Sequence, residues 1–168
     1  MATLPSPRTW TVGELLTAAK LNLDLRDGLN FLLSPPLAVL RKSGNQSIPQ
    51  SASTEVTWDV EDIDRDGGHS TVSNTSRYTS QTAGWYNFST VIGWDVAATD
   101  RVLSFASTTS PSDVQVDRRN GSDSTMNGQA AIFLGVGDYT VVSVIRFSAS
   151  AQAVASLYSR FEARWASK

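Results

Sequence analysis

The 168-residue chain contains no cysteine. Disulfide frameworks, cysteine zinc sites and thiol nucleophiles are therefore excluded. Charged residues make up only 18% of the chain, and the formal net charge is -2. A net charge this small gives too weak an electrostatic field to recruit nucleic acid or an anionic membrane surface, and we expect neither as a partner.

Long apolar runs are also missing. The stretch after Met1 (ATLPSPRTW) lacks the apolar segment of a signal peptide, and no run is long enough to span a bilayer. We therefore expect the protein to be made in the cytoplasm and to reach any outside location by another route, such as assembly into a particle.

Hydrophobic residues nevertheless account for 40% of the chain, which is enough to form the core of one domain of ordinary size. Much of the remaining composition is Ser, Thr and Asn rather than Lys and Glu. This balance is common in all-β proteins, whose alternating strands expose small hydroxyl side chains.

The chain divides near Pro35-Pro36 into an N-terminal part, residues 1–36, and a second part, residues 37–168. Residues 17–33 read as one short helix with Thr17 as its N-cap, preceded by an extended arm that carries Trp10. The helix has one apolar stripe, formed by Leu21, Leu25, Leu29 and Leu32.

A short amphipathic helix cannot bury such a stripe alone. It folds back on its own domain, bundles with copies of itself, or binds a partner. The Trp10 arm favours contact with another chain, since buried aromatic residues dominate the energetics of interfaces. Trp10 and the four leucines are therefore our candidate docking residues.

After Pro36 the apolar residues alternate, which predicts strands rather than helices. In residues 84–96, for example, Tyr86, Phe88, Ile92, Trp94 and Val96 fall on one face. In residues 153–165 one face is formed by Ala153, Ala155, Leu157, Phe161, Ala163 and Trp165. Similar patterns predict eight strands, at residues 37–42, 54–60, 84–96, 101–108, 113–118, 125–134, 139–148 and 153–165. The predicted fold is an all-β, antiparallel jelly-roll β-sandwich.

The acidic stretch Asp62, Asp64, Asp66 and Gly67 matches the opening of a calcium loop. The match ends at Ser73, where the bidentate Glu of such a loop is missing, and no flanking helices are predicted. The alternative is a solvated acidic turn between strands. The one histidine, His69, follows in a Gly-rich loop, where a hydrogen bond to backbone is a commoner role than catalysis.

Exposed loops near Tyr78, Trp85 and Arg118 are our candidate contacts for a host-surface glycan or receptor. Nothing in the sequence places a pair of carboxylates at the separation that glycoside hydrolysis needs, and no other cofactor motif occurs. We therefore expect a binding or structural module rather than an enzyme.

Several short motifs along the chain carry a resemblance to a known family. In chain order they are Arg8-Thr9-Trp10, Gly13-Glu14, the helix opening at Thr17, Phe31-Leu32-Leu33 with Pro35-Pro36, the loop from Asp64 to His69, and Gly84-Trp85-Tyr86. Together they resemble small virion accessory proteins, of the minor tail or capsid decoration type, of tailed phages that infect actinobacteria. The motifs Gly84-Trp85-Tyr86 and Gly137-Asp138-Tyr139 also resemble C1q/TNF-like jelly rolls, in which an aromatic after glycine opens a core strand.

The resemblance implies a homotrimeric jelly roll on the surface of a virion, attached to the capsid or the tail by its N-terminal segment. It implies no enzymatic activity. The alternative is a carbohydrate- or receptor-binding module of a tail fibre or baseplate. One departure is that a single short helix stands where C1q-like chains carry a long stalk.

Overall fold

The structure, a computed structural model, describes residues 8–97, 100–120 and 123–168, with the backbone alone for residues 110–113. The N-terminal helix begins as α1 (Ala18–Leu21), continues as a π-helical segment (Asn22–Arg26) and ends as α2 (Asp27–Leu33). The Thr17 hydroxyl accepts a hydrogen bond from the Lys20 amide at 3.3 Å, as an N-cap does. The helix ends before Pro35, because the residue before a proline disfavours the α region. The predicted helix and its N-cap are confirmed.

Eleven strands follow in the described residues. They are β1 (Leu37–Arg41), β2 (Gln46–Ile48), β3 (Thr54–Glu55), β4 (Val60–Asp64), β5 (Arg77–Thr79), β6 (Gly84–Trp94), β7 (Arg101–Ser107), β8 (Ser110–Arg119), β9 (Thr125–Leu134), β10 (Tyr139–Arg146) and β11 (Gln152–Ser167). Sheet 1 has the order β4-β1-β11-β6-β9, with β2 also paired to β11. Sheet 2 has the order β3-β10-β7-β8, with β5 also paired to β10. These strand pairs are antiparallel, so the predicted all-β sandwich is confirmed.

The core lies between the two sheets and is rich in aromatic rings. Phe88 of β6 stacks on Phe161 of β11 at 5.8 Å and lies 6.0 Å from Phe105 of sheet 2. Burying each such ring contributes about 1.5–3 kcal/mol to folding. The predicted inward face of β6 is confirmed for its members within the strand, which are Tyr86, Phe88, Ile92 and Trp94. Val96 lies beyond the strand and is 41% exposed, so its assignment to that face was wrong.

Two strand predictions need correction. Residues 54–60 do not form one strand: β3 ends at Glu55 and β4 begins at Val60, although Trp58 between them is fully buried. In β11 the predicted alternation holds for Phe161 and Ala163 but not for Leu157, which is 76% exposed. The pairing of β11 with β6 shifts register between Ala155 and Arg160, and the extra residues change the phase of the strand.

Candidate interaction surfaces

The N-terminal arm folds onto the start of the helix. The Arg8 guanidinium lies 4.6 Å from the Trp10 ring and donates to Glu14. Glu14 also accepts from Lys20 Nζ at 2.8 Å and from the Thr11 amide at 3.3 Å. The hydrogen bond from Lys20, followed by that from Thr11, lowers the pKa of Glu14 to about 2. Glu14 therefore stays ionised and holds the arm against the helix.

The leucine stripe faces away from the sandwich. Leu21, Leu25, Leu29 and Leu32 are 39%, 52%, 57% and 69% exposed. The helix instead contacts its own domain through Phe31, whose ring meets that of Trp165 edge to face at 4.9 Å. The chain therefore anchors one face of the helix and leaves the predicted docking stripe uncovered.

Trp10 lies beside the first half of this stripe. It lines, with Leu21 and Leu25, a groove of about 280 Å³ that Glu14 and Leu16 complete. The predicted docking residues are thus partly brought together: Trp10, Leu21 and Leu25 share the groove, and Leu29 and Leu32 continue the exposed apolar stripe. Among the described residues, no helix has the length and apolarity to cross a membrane.

The three aspartates of the acidic stretch have different partners. Asp62 forms two hydrogen bonds with the Arg41 guanidinium, at 2.5 and 2.6 Å, which lower its pKa. Asp64 accepts from the amides of Gly68 and His69, at 3.1 and 3.0 Å. Asp66 accepts from the Tyr78 hydroxyl at 2.9 Å, and its burial raises its pKa.

The predicted acidic turn is therefore corrected in part. Asp62 and Asp64 belong to the edge strand β4, and only Asp66 lies in the turn that follows it. Within the described ranges, no group of three or more His, Asp or Glu side chains is arranged to hold a metal ion. Calcium binding by this stretch stays an untested alternative to a purely structural role.

His69 does not lie in an open loop. Its imidazole is closed off from solvent, with Nδ1 2.8 Å from Glu61 Oε1 and Nε2 3.1 Å from the Thr75 carbonyl oxygen. Because a carbonyl oxygen only accepts, Nε2 carries a proton and donates it. These contacts of Glu61, His69 and Thr75, which we call the His69 clamp, join both ends of the β4–β5 connection.

The glycines of the same connection allow it to lie close against β5. A Cβ on Gly68 would stand 2.5 Å from the Tyr78 ring and 2.8 Å from the Thr79 carbonyl oxygen, so only glycine fits there. The Thr79 amide donates to the Gly68 carbonyl at 2.7 Å. Gly67 has a φ of +69°, which glycine adopts at little cost. Gly67 and Gly68 thus fix the path of the β4–β5 connection.

The connection and β5 line an open polar pocket of about 250 Å³. Arg77 and the hydroxyl and amide side chains around it line this pocket; they are Ser70, Ser73, Asn74, Thr79 and Gln81. Sequence reasoning missed this site. Its residues are scattered polar residues with no motif spacing, and only the folded connection brings them together.

The three predicted glycan contacts do not form one site. Tyr78 is fully buried, so its prediction as a surface contact was wrong. Trp85 is 47% exposed on β6, where its ring meets that of Phe133 at 5.8 Å. Arg118 lies on β8 of the other sheet and pairs with Asp100 at 3.1 Å.

The outer face of sheet 1 carries exposed polar and aromatic side chains. A shallow polar groove of about 530 Å³ crosses β6, β9 and β11. Side chains of both charges line it, among them Glu162 and Arg164. The aromatic pair Trp85 and Phe133 lies on the same two strands, β6 and β9, and both rings are nearly half exposed.

No family model matches this chain, and no curated protein matches it. Solved structures do. The globular domain of zebrafish complement 1qA protein has a TM-score of 0.59 at 15% identity, and the match covers 77% of this chain and 96% of the zebrafish chain. Murine APRIL, crystallised at pH 8.0, has a TM-score of 0.58 at 15% identity, covering 78% and 98%. PRD1 vertex protein P5 has a TM-score of 0.57 at 15% identity, covering 78% and 97%.

The fold is a C1q/TNF-like jelly roll. The predicted jelly-roll architecture is therefore confirmed. At 15% identity the likeness concerns the fold alone, because one fold serves many unrelated functions. What the jelly roll does in this chain must be argued from its own surfaces.

Proposed function

We propose that the chain is a non-enzymatic accessory protein of a tailed-phage virion. Its arm and helix attach it to another virion protein of the capsid or tail, and its jelly roll is displayed as a trimer on the particle surface. The exposed leucine stripe beside Trp10 is the observation that carries this proposal. Full burial of a fully exposed leucine contributes about 1.5–3 kcal/mol, and each of these partly covered leucines contributes the share of that set by its exposed area.

Two further observations support a place in a particle. The sequence motifs of the arm and helix resemble small phage virion proteins. One solved structure with the same jelly roll is named as a vertex protein. Since Phe31 alone of the helical side chains is buried, we infer that the helix has a partner outside this chain.

The proposal assigns no catalytic role to His69. A Ser-His-Asp triad would need this histidine, because the chain has no other. Both of its ring nitrogens are within hydrogen-bond distance of protein atoms, and the ring is closed off from solvent.

For the trimer we propose the outer face of sheet 1 as the contact between subunits. Trp85 and Phe133 form an exposed aromatic pair there, and such residues are enriched at interfaces. Charges of both signs, including Glu162 and Arg164, lie on the same face and allow complementary pairing between copies.

The attachment is tested by replacing Leu25, Leu29 and Leu32 with serine in the full-length protein. Particles assembled with this variant should lack the protein after sedimentation. The matched control is Val136→Ser, which changes a similarly exposed apolar residue in the turn after β9 and should leave incorporation intact. Normal incorporation of the triple variant would contradict the proposed attachment.

The trimer is tested by light scattering of the full-length protein in solution. The expected mass is three times the 18.1 kDa of one chain. Trp85→Asp should lower this mass, whereas Val72→Asp, at an exposed loop position, should not. A wild-type protein with the mass of a single chain would contradict the trimer and leave the attachment proposal intact.

A further inference from the structure

We propose that the polar pocket between β5 and the β4–β5 connection binds an acidic saccharide. The ligand is a sugar that carries a carboxylate or a phosphate, and Arg77 recognises its anionic group. This inference goes beyond attachment to a particle and does not depend on it.

Arg77 is a cation held in place without a counter-ion. It is half-buried, and its guanidinium lies 4.1 Å from the centre of the Tyr139 ring. Its side chain has no acidic partner and no hydrogen-bond acceptor in the part of the chain that the structure describes. Its planar fork of N–H donors is therefore free to bind an oxyanion through two parallel hydrogen bonds.

Other arginines of the sandwich show the contrast. Arg101 donates to Gln152 Oε1 and to the carbonyls of Val96 and Asp123. Arg146 donates to backbone carbonyls at three positions. Those guanidinium groups are used to hold the fold together, whereas that of Arg77 is oriented by an aromatic ring and left unpaired.

The rest of the pocket suits a sugar better than a bare anion. Hydroxyl groups and amides surround Arg77, and these provide both donors and acceptors, as sugar hydroxyls require. No carboxylate is among the described lining residues. Asp64 and Glu61 lie behind the wall, where the amides of Gly68 and His69 and the His69 ring bind them. The volume of about 250 Å³ is below the range of about 300 Å³ upwards that is usual for ligand pockets, and we expect it to hold one sugar unit of a longer chain.

The pocket is organised before any ligand arrives. The buried His69 clamp and the close approach at Gly68 fix one wall. The other wall is β5, which pairs with β10 and begins at a turn whose Asn74 carbonyl accepts from the Arg77 amide at 2.9 Å. A fixed pocket loses little entropy when it binds, which favours even a small ligand.

The position of the pocket is compatible with the proposed trimer. β5 belongs to sheet 2, and the proposed subunit contact uses the outer face of sheet 1. The pocket therefore stays open to a ligand on the displayed particle surface.

The test is an NMR titration of the full-length protein with three probes at millimolar concentration: methyl glucuronide, glucose 6-phosphate and neutral methyl glucoside. We expect binding of at least one anionic probe, and the stronger of the two identifies the group that is recognised. Arg77→Ala should weaken this binding at least tenfold. Arg77→Lys should weaken it less, since lysine keeps the charge but loses the fork.

Arg26→Ala is the matched control, since it removes an exposed arginine of the N-terminal helix that does not line the pocket and should not alter binding. Unfolding temperatures of all variants show whether each is folded. Three results overturn the proposal: no binding of either anionic probe, equal binding of the neutral probe, or anionic binding that survives Arg77→Ala. Arg77→Ala should leave particle incorporation intact, so this test and that of the leucine stripe can fail separately.

Discussion

Replacing His69 by alanine removes both hydrogen bonds of the His69 clamp. Because the Glu61 carboxylate also only accepts, the bond to it forms when Nδ1 is protonated as well as Nε2. That bond is then worth about 1.5–3 kcal/mol, and the bond to the Thr75 carbonyl is worth about 0.5–1.5 kcal/mol. We therefore expect His69→Ala to lower the free energy of unfolding by about 2–4 kcal/mol. For a chain of this size, about 3 kcal/mol corresponds to a fall in melting temperature of roughly 6–12 °C.

The assay combines thermal unfolding with hydrogen exchange of residues 67–76. The variant should exchange faster in this segment than the wild-type protein, because the clamp joins the two ends of the connection. Thr71→Ala is the control, since it changes an exposed residue of the same segment. A melting temperature within a degree of wild type, with unchanged exchange, would refute a structural role for this histidine.

Three further predictions concern buried charge and metal. Arg101→Met should lower the free energy of unfolding, measured by urea denaturation, by about 3–5 kcal/mol, because it leaves buried acceptors unpaired. Arg118→Met, at an exposed position, should change that free energy little. Burial raises the pKa of Asp66 above its unfolded value, so its ionisation costs stability as pH rises through the folded pKa. Asp66→Asn should therefore raise the melting temperature at pH 7, with a gain that vanishes below about pH 3, where the wild-type carboxyl is protonated; an equal gain at both pH values would contradict this. The melting temperature should be the same in millimolar calcium and in a chelator, since the aspartates of the acidic stretch have separate protein partners. A higher melting temperature in calcium would indicate a metal site there.

The strands that alternate cleanly could be predicted because one of their faces is buried. This holds for β6 and for β9, where the pattern of apolar side chains and the strand coincide. β4 escaped prediction because it is an acidic edge strand, and carboxylates are uncommon in strands. The exposure of Leu157 could not be foreseen, since a bulge changes the phase without a local signal.

The candidate sites divide in the same way. The leucine stripe could be read from helical spacing, and its exposure agrees with the role inferred for it. The sequence pattern did not mark Arg77 as a binding residue, because its place in the pocket depends on Tyr139 and on a connection that folds back across β5. His69 was visible as the one histidine, but its burial depends on Glu61 and Thr75, whose positions the sequence pattern does not specify.

The central claim is that the N-terminal helix ties a displayed jelly roll to another virion protein. Electron cryomicroscopy of the intact particle tests it most directly. We expect density for the helix with Leu25 and Leu29 against a second protein and the sandwich projecting outward. A particle in which the helix faces solvent while the sandwich makes the attachment would contradict the account.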